Sequence, residues 1–179
     1  GYAQTTKQLA QQPDPLDGGE VSRRMTLISS EAERLSLMVG QVLDVTRMEE
    51  GRMVMEPVRC YVDEIIHIAV ETHYPILNKN QNRLEIRMES GLPAVHADPA
   101  RISQVVVNLI SNAVRFTANG LITVSAKREN TNVLICVSDT GVGIAPERLP
   151  HIFERYSHKQ KTGGGQDTGT GLGLYICKH

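Results

Sequence analysis

The sequence contains no tryptophan, and only two phenylalanines and five tyrosines among 179 residues. Its basic residues are scattered rather than interleaved with aromatics, so it offers no stacking platform for bases. A formal net charge of −1 adds no pull toward a polyanion, and no nucleic-acid partner is expected. Cysteine is as sparse. Cys60, Cys136 and Cys177 are far apart and form no CxxC pair, which leaves no basis for a disulfide framework or a zinc site. They read as small buried or half-buried residues of a reducing compartment. No apolar run approaches the ~20 residues that span a bilayer, and the opening residues carry no signal-peptide pattern. The expected location is cytoplasmic, with membrane contact only through segments outside this chain, by which a longer native protein could be anchored. A chain of this length can build one core, or one core with a helical appendage.

What the sequence does have is glycine in two ordered segments. They read Asp139-Thr140-Gly141-Val142-Gly143-Ile144 and Gly169-Thr170-Gly171-Leu172-Gly173-Leu174, with Ile152-Phe153-Glu154-Arg155-Tyr156 between them. An asparagine-bearing stretch, Asn108 to Thr117, precedes both. Each is weak alone; the ordered set is specific. The second segment does not follow a strand, and no βαβ unit succeeds it, so a Rossmann reading fails. No Gly-Lys-Ser/Thr occurs, so a Walker loop is excluded as well.

Along the chain, Gln11 to Gly19 is a loop by composition, with residues 1–12 a possible helix end. Val21, Met25, Ile28, Ala32, Leu35, Val39, Val42 and Thr46 then step by four and three, the spacing of a helical seam. Leu27, Met38, Leu43 and Val45 widen the stripe, which fits a helical bundle. The helix either lies on its own domain or pairs in a homodimer, and the pairing is the favoured reading. Glu50-Gly51 is a helix stop. Met53, Met55 and Val58 suggest a short strand. Val62 to Leu77 reads as an amphipathic helix with Ile65, Ile66, Ala69 and Val70 inward. Leu84 to Met88 alternates as a half-buried strand. Asp98 is placed to cap a helix with Pro99 at its first position, running to about Phe116. Leu121–Lys127 and Val133–Val137 read as neighbouring strands. The expected fold class is α+β, a two-layer α/β sandwich of a mixed β-sheet with helices on one face, preceded by a helical-hairpin segment. The expected domains are 1–50 and 51–179.

Asn108 and Asn112 are one turn apart on one helical face, where asparagine is a mediocre helix former. An amide oxygen is a hard, neutral ligand suited to Mg²⁺ among phosphate oxygens and waters; solvated or capping amides are the plainer alternative. Arg115 can reach a phosphate from the same helix end. A carboxylate at a strand end, such as Asp139, can accept from an exocyclic amine such as that of adenine. Gly141 and Gly143 permit backbone conformations and approaches that a Cβ would block. Residues 157–168, with Gly163-Gly164-Gly165, have almost nothing apolar to pack and read as a mobile lid, with a disordered linker as the alternative. The lid leads into a helix start whose N–H groups suit phosphate.

Together these features resemble the catalytic, ATP-binding domain of sensor histidine kinases, relatives of gyrases, mismatch-repair ATPases and heat-shock chaperones. Asp98 to Asn108 is similar to that family's approach to its asparagine box. The resemblance implies ATP and Mg²⁺ as cofactors, with Asn108, Asn112 and Arg115 as catalytic residues and Asn112 as the magnesium ligand. Arg115 stands where the kinases often carry Lys, with charge retained. Asp139 on adenine, with Gly141, Gly143 and Ile144, matches the first glycine box, and Phe153 the phenylalanine box. Thr168, Gly169, Thr170, Gly171, Leu172 and Gly173 match the second, and Phe116 closes the set of nucleotide contacts. The hydrolysing relatives have Glu where this chain has Asn108, and an amide is a poor base for water. Arg47 to Gly51 resembles the end of the family's dimerisation helix, and Gly1 to Gln4 the stretch just after its phosphoacceptor box. That box, His-Glu-x-x-x-Pro, surrounds none of His67, His73, His96, His151, His158 or His179. The chain is therefore expected to be a fragment without the acceptor histidine or the family's closing strands, unable to phosphorylate itself. The resemblance implies a homodimer and a response regulator receiver domain as partners. A nucleotide-binding module that only changes shape and an ATP-hydrolysing relative are the other two readings.

Overall fold

The computed structural model describes residues 18–77, 81–157 and 170–179. Readings that fall on residues 1–17, on most of the proposed lid, and on Thr168 and Gly169 lie outside the described residues. The rest divides into two compact units, the first ending at Arg47 and the second beginning at Met48.

Helix α1 runs Gly18–Glu49. It begins earlier than composition implies, because Gly18 and Gly19 are helical. Glu20 in the first turn suits the positive end of the helix dipole and pairs with Arg24 one turn on. The helix stops where glycine allows it. Gly51 has φ +62° and its N–H donates to the Met48 carbonyl at 3.1 Å, a left-handed C-terminal cap. Along the seam, Met25, Leu35, Val39 and Val42 are exposed.

The second unit holds a two-stranded antiparallel sheet and a three-stranded mixed sheet, with two helices. Strand β1 (Val58–Cys60) pairs antiparallel with β3 (Val95–Ala97). Strand β2 (Arg83–Met88) lies parallel to β4 (Leu121–Glu129), which is antiparallel to β5 (Asn132–Asp139). Asn130, at φ +57°, makes the two-residue turn between β4 and β5, since asparagine tolerates that region. Helices α2 (Val62–Leu77) and α3 (Pro99–Phe116) pack together and against the sheet. A 3-10 helix (Pro146–His151) and a short α4 (Gly173–Lys178), which rests on α3, complete the unit.

The core follows the two periods of the sequence. Ile122, Val124 and Ala126 alternate inward from β4, and Val62, Ile66, Ala69 and Val70 face them from α2. Val106, Ile110, Ala113 and Val114 do the same from α3. Leu84, Ile86 and Met88 pack at the edge from β2. Full burial of each large aliphatic side chain contributes about 1.5–3 kcal/mol before entropy is counted.

Two sequence expectations change. Met53 and Met55 are not in a strand, which starts only at Val58. With Val105, Leu109 and Ile135 they line an apolar cavity of about 610 Å³, and Met55 remains exposed. Strand β3, unannounced by its three-residue length, forms by pairing with β1.

Asp98 ties these pieces together. Its Oδ1 accepts from the N–H groups of Ala100 (3.0 Å) and Arg101 (3.2 Å), capping α3, and its Oδ2 accepts from the Glu56 N–H at 3.1 Å. The Glu56 bond is the largest of the causes that hold its carboxyl below the usual carboxylate range; burial pushes the other way, and the Arg101 and Ala100 bonds and the Arg101 charge add to the lowering. A lowered native pKa gives stability that is complete above the unfolded value near 4 and is lost as pH falls through the native value. Asp98→Ala should therefore lower the thermal midpoint clearly at pH 7, and the gap from wild type should narrow on acidification below about pH 4. A gap independent of pH in scanning calorimetry would remove the charge from this account.

Candidate functional site

Helix α3 is where the site is assembled. Its capped start and its buried Val106, Ile110, Ala113 and Val114 fix its rotation about its axis. That leaves Asn108 and Asn112 half-buried on another face. Arg115, in the last turn, sets its guanidinium 5.1 Å from the centre of the Phe116 ring. Burial lowers the Arg115 pKa, but a guanidinium starts so high that it stays cationic at neutral pH.

The first glycine segment is pressed against the end of this helix. The Phe116 carbonyl accepts from the Val142 N–H at 3.2 Å. A Cβ on Gly141 would lie 2.2 Å from that carbonyl oxygen, so no larger residue fits. Gly143 has open space around it but adopts φ +70°, so there the need is conformational. Asp139, the last residue of β5, is exposed rather than buried. Its Oδ1 accepts from the Gly141 N–H at 2.8 Å and from the Thr117 hydroxyl at 3.2 Å. Ile144 and Phe153, which flank the 3-10 helix, are both exposed.

The second glycine segment reaches the other end of the asparagine face. The Asn108 side-chain amide lies 3.5 Å from the Gly173 carbonyl, a long hydrogen bond, and a Cβ on Gly173 would stand 3.4 Å from Asn108 Oδ1. Gly171 has φ +70°, and a Cβ there would meet the Tyr156 Cα at 2.9 Å. The Gly171 carbonyl accepts from the Tyr156 N–H at 3.1 Å. Leu172 is buried, and its N–H donates to the Thr170 hydroxyl at 3.3 Å. Nearby, Arg155 stacks on the Tyr175 ring at 4.9 Å and pairs with Glu49. Burial raises the Cys177 thiol, opposed by a bond to the Asn108 side chain, so Cys177 is a protonated packing residue.

One helix thus touches both glycine segments, at Phe116 and at Asn108. Three contributors escaped the sequence reading: Thr117, Asn82 and Tyr156. Thr117 closes the asparagine stretch, and its signal was there to be weighed. Asn82, whose side-chain amide donates to the Thr117 carbonyl at 2.9 Å, had none, because that contact spans a 35-residue separation.

The residues present fit a nucleotide with a magnesium ion. The bare Cα of Gly141 and Gly171 is needed for close contacts within the protein, at Phe116 and Tyr156, whereas Gly143 has open space around it in which a ligand could approach the backbone. Among the described residues no group of three or more His, Cys, Asp or Glu side chains could cage a metal alone. A cation here would take the Asn112 amide oxygen and rely on phosphate and water for the rest.

Residues 97–179 match the family of histidine kinase-, DNA gyrase B-, and HSP90-like ATPases. Over 165 residues the chain is 31% identical to the sensor-like histidine kinase SenX3 of Mycobacterium tuberculosis, covering 91% of this chain and 40% of that protein. It is 30% identical over 159 residues to the sensor histidine kinase RcsC of Escherichia coli, covering 88% of this chain and 17% of RcsC. The solved structure of full-length ShkA in complex with AMPPNP superposes with a TM-score of 0.72 at 27% identity, over 91% of this chain and 34% of that one. The relatives this chain matches are sensor histidine kinases, and residues 97–179 carry the match to this ATPase family. The chain spans 17% and 40% of the length of the two curated relatives.

Gly141→Ala should destabilise the fold strongly, since its methyl would collide with a backbone oxygen that cannot swing away. Gly143→Ala should cost only the left-handed conformation, about 1–2 kcal/mol. Thermal midpoints of the two variants should fall in that order, and equal midpoints would contradict the tight contact at Gly141.

Proposed function

We propose that this chain is the ATP-binding catalytic part of a sensor histidine kinase, transferring the γ-phosphate of ATP to a histidine for relay to an aspartate of a response regulator. The observation that supports the reading is the contact of α3 with both glycine segments, through Phe116 with the first and through Asn108 with the second. Asp139 accepts the adenine amine. The asparagine face and Arg115 lie toward the phosphates, with the backbone N–H groups of the second glycine segment. Magnesium, held by Asn112, neutralises charge on the phosphate oxygens when bound. Phe116, Ile144 and Phe153 supply apolar contact, and Thr168–Gly169 continue the second segment.

Asn108 favours transfer over hydrolysis, because a neutral amide cannot take a proton from water as a carboxylate does. The exposed stripe of α1 at Met25, Leu35, Val39 and Val42 supports pairing of two copies through residues 1–50, with 51–179 as the ATP-binding domain. A response regulator receiver domain is the partner this function requires. Among the described residues no helix is long and apolar enough to cross a membrane.

Replacing Asn112 with Ala should weaken Mg-ATP about 10- to 100-fold, the scale of losses around metal sites, and Mg-free ATP far less. Titration calorimetry with and without EDTA decides it, and equal losses would defeat the metal role. None of the six histidines sits in a phosphoacceptor box. Incubation with labelled ATP should therefore leave no acid-labile phosphate on the chain, whereas a separate acceptor-helix fragment should become labelled. Stable label on any of the six would overturn the assignment of the acceptor to another segment, and steady hydrolysis without acceptor would favour an ATPase.

A further inference from the structure

The buried polar group nearest the proposed base site is not Asp139 but the residue behind it. Thr117 is 1% exposed. Its hydroxyl lies 3.2 Å from Asp139 Oδ1. An ionised carboxylate only accepts, so the hydroxyl is the donor. Asp139 Oδ1 takes a second donor from the Gly141 N–H at 2.8 Å. Two donors from different directions on one oxygen fix the rotation of the carboxylate. Oδ2 is then the oxygen presented outward, and no hydrogen bond from the described residues engages it.

Thr117 is itself held. It is the C-terminal cap residue of α3, with φ −116° and ψ 133°. The Asn82 side-chain amide donates to the Thr117 carbonyl at 2.9 Å, and Asn82 Oδ1 accepts from the Gly120 N–H at 3.0 Å. A Cβ on Gly120 would lie 2.5 Å from Thr117 Cγ2, so the turn after α3 closes tightly over the threonine methyl. The chain of contacts runs from the start of β2, through the end of α3, to the carboxylate at the end of β5.

We propose that Thr117, locked by Asn82, is a positioning residue that aims Asp139 and so sets the preference for a base bearing an exocyclic amine at the recognised edge, adenine over guanine. This rests on the reading of Asp139 as the acceptor for adenine. Without the Thr117 hydroxyl the carboxylate keeps one donor and gains rotational freedom. Its outward oxygen is then no longer held where an amine meets it and a carbonyl is repelled. Discrimination by a fixed polar group can be large because the wrong base leaves that group unpaired.

The test uses the full chain and displacement of a fluorescent ATP analogue by ATP and by GTP. Thr117→Val keeps the shape and removes the hydroxyl. It should weaken ATP about 3- to 10-fold, the loss of one net hydrogen bond, and leave GTP nearly unchanged, so the ATP-to-GTP preference narrows. Thr117→Ser and Thr117→Ala form a second pair that lose the same methyl and differ only in the hydroxyl. Ser should keep the preference and Ala should lose it, whatever either does to the melting point. Asp139→Asn should abolish the preference. Equal loss for ATP and GTP in Thr117→Val, or equal preference in Ser and Ala while Asp139→Asn abolishes it, would overturn the positioning role and leave the base assignment standing. An unchanged preference in Asp139→Asn would overturn the base assignment itself, and the role of Thr117 with it.

Discussion

The rest of the site depends on one close approach, between the carbonyl of Phe116 at the end of α3 and the backbone at Gly141–Val142. The Val142 N–H bonds that carbonyl at 3.2 Å, and the room for the approach exists only because residue 141 has no Cβ. It joins the end of the asparagine helix to the end of β5. Asp139, Thr117, Arg115 and the first glycine segment are thereby brought within one neighbourhood, though they come from separate elements. A side chain at 141 would move the helix end away from the strand end and separate Thr117 and Arg115 from Asp139.

The opposite end of α3 is held by a different kind of contact. Asp98 caps the helix and also binds the Glu56 N–H, so one carboxylate sets both the start of α3 and the path of the segment leading into β1. Between the two ends, the apolar face of the helix is buried against β4 and α2. Rotation about its axis is then set by packing and its position along the axis by its ends. Asn108 reaches the second glycine segment at Gly173 as a result of both constraints. The helix is a rigid ruler between two glycine-rich segments that have few packing side chains of their own.

The polar groups of the site are satisfied in layers. Thr117 is buried and spends its hydroxyl on Asp139, while Asn82 holds the threonine carbonyl. Burying these amides and hydroxyls without partners would be costly, and each has one. Exposure rises toward the site itself, where Asp139, Phe116, Ile144 and Phe153 are open. A well-bonded polar layer thus lies under an open, partly apolar one and holds one oxygen of the Asp139 carboxylate.

Local pattern alone was enough for the long elements. The seam from Val21 to Thr46, the run Val62–Leu77, the Asp98-Pro99 start and the alternation in β2, β4 and β5 each carry their own period or cap, and those elements are where the sequence placed them. The two glycine segments and the asparagine face were legible for the same reason, since glycine and asparagine are there for a backbone or amide that nothing else supplies. Contacts between segments far apart in the chain were not legible. Strand β3 has three residues and no pattern of its own, so it exists only through β1. Met53 and Met55 alternate like a strand but line a cavity shared with α3, β3 and α4. Asn82 looks like any loop asparagine until folding sets it beside Thr117. Periodicity and backbone chemistry are properties of neighbours in sequence, and so the sequence by itself determined the elements and the residue types of the candidate site. Which oxygen of Asp139 is held, and by whom, depends on three segments meeting, and only the tertiary structure decided that.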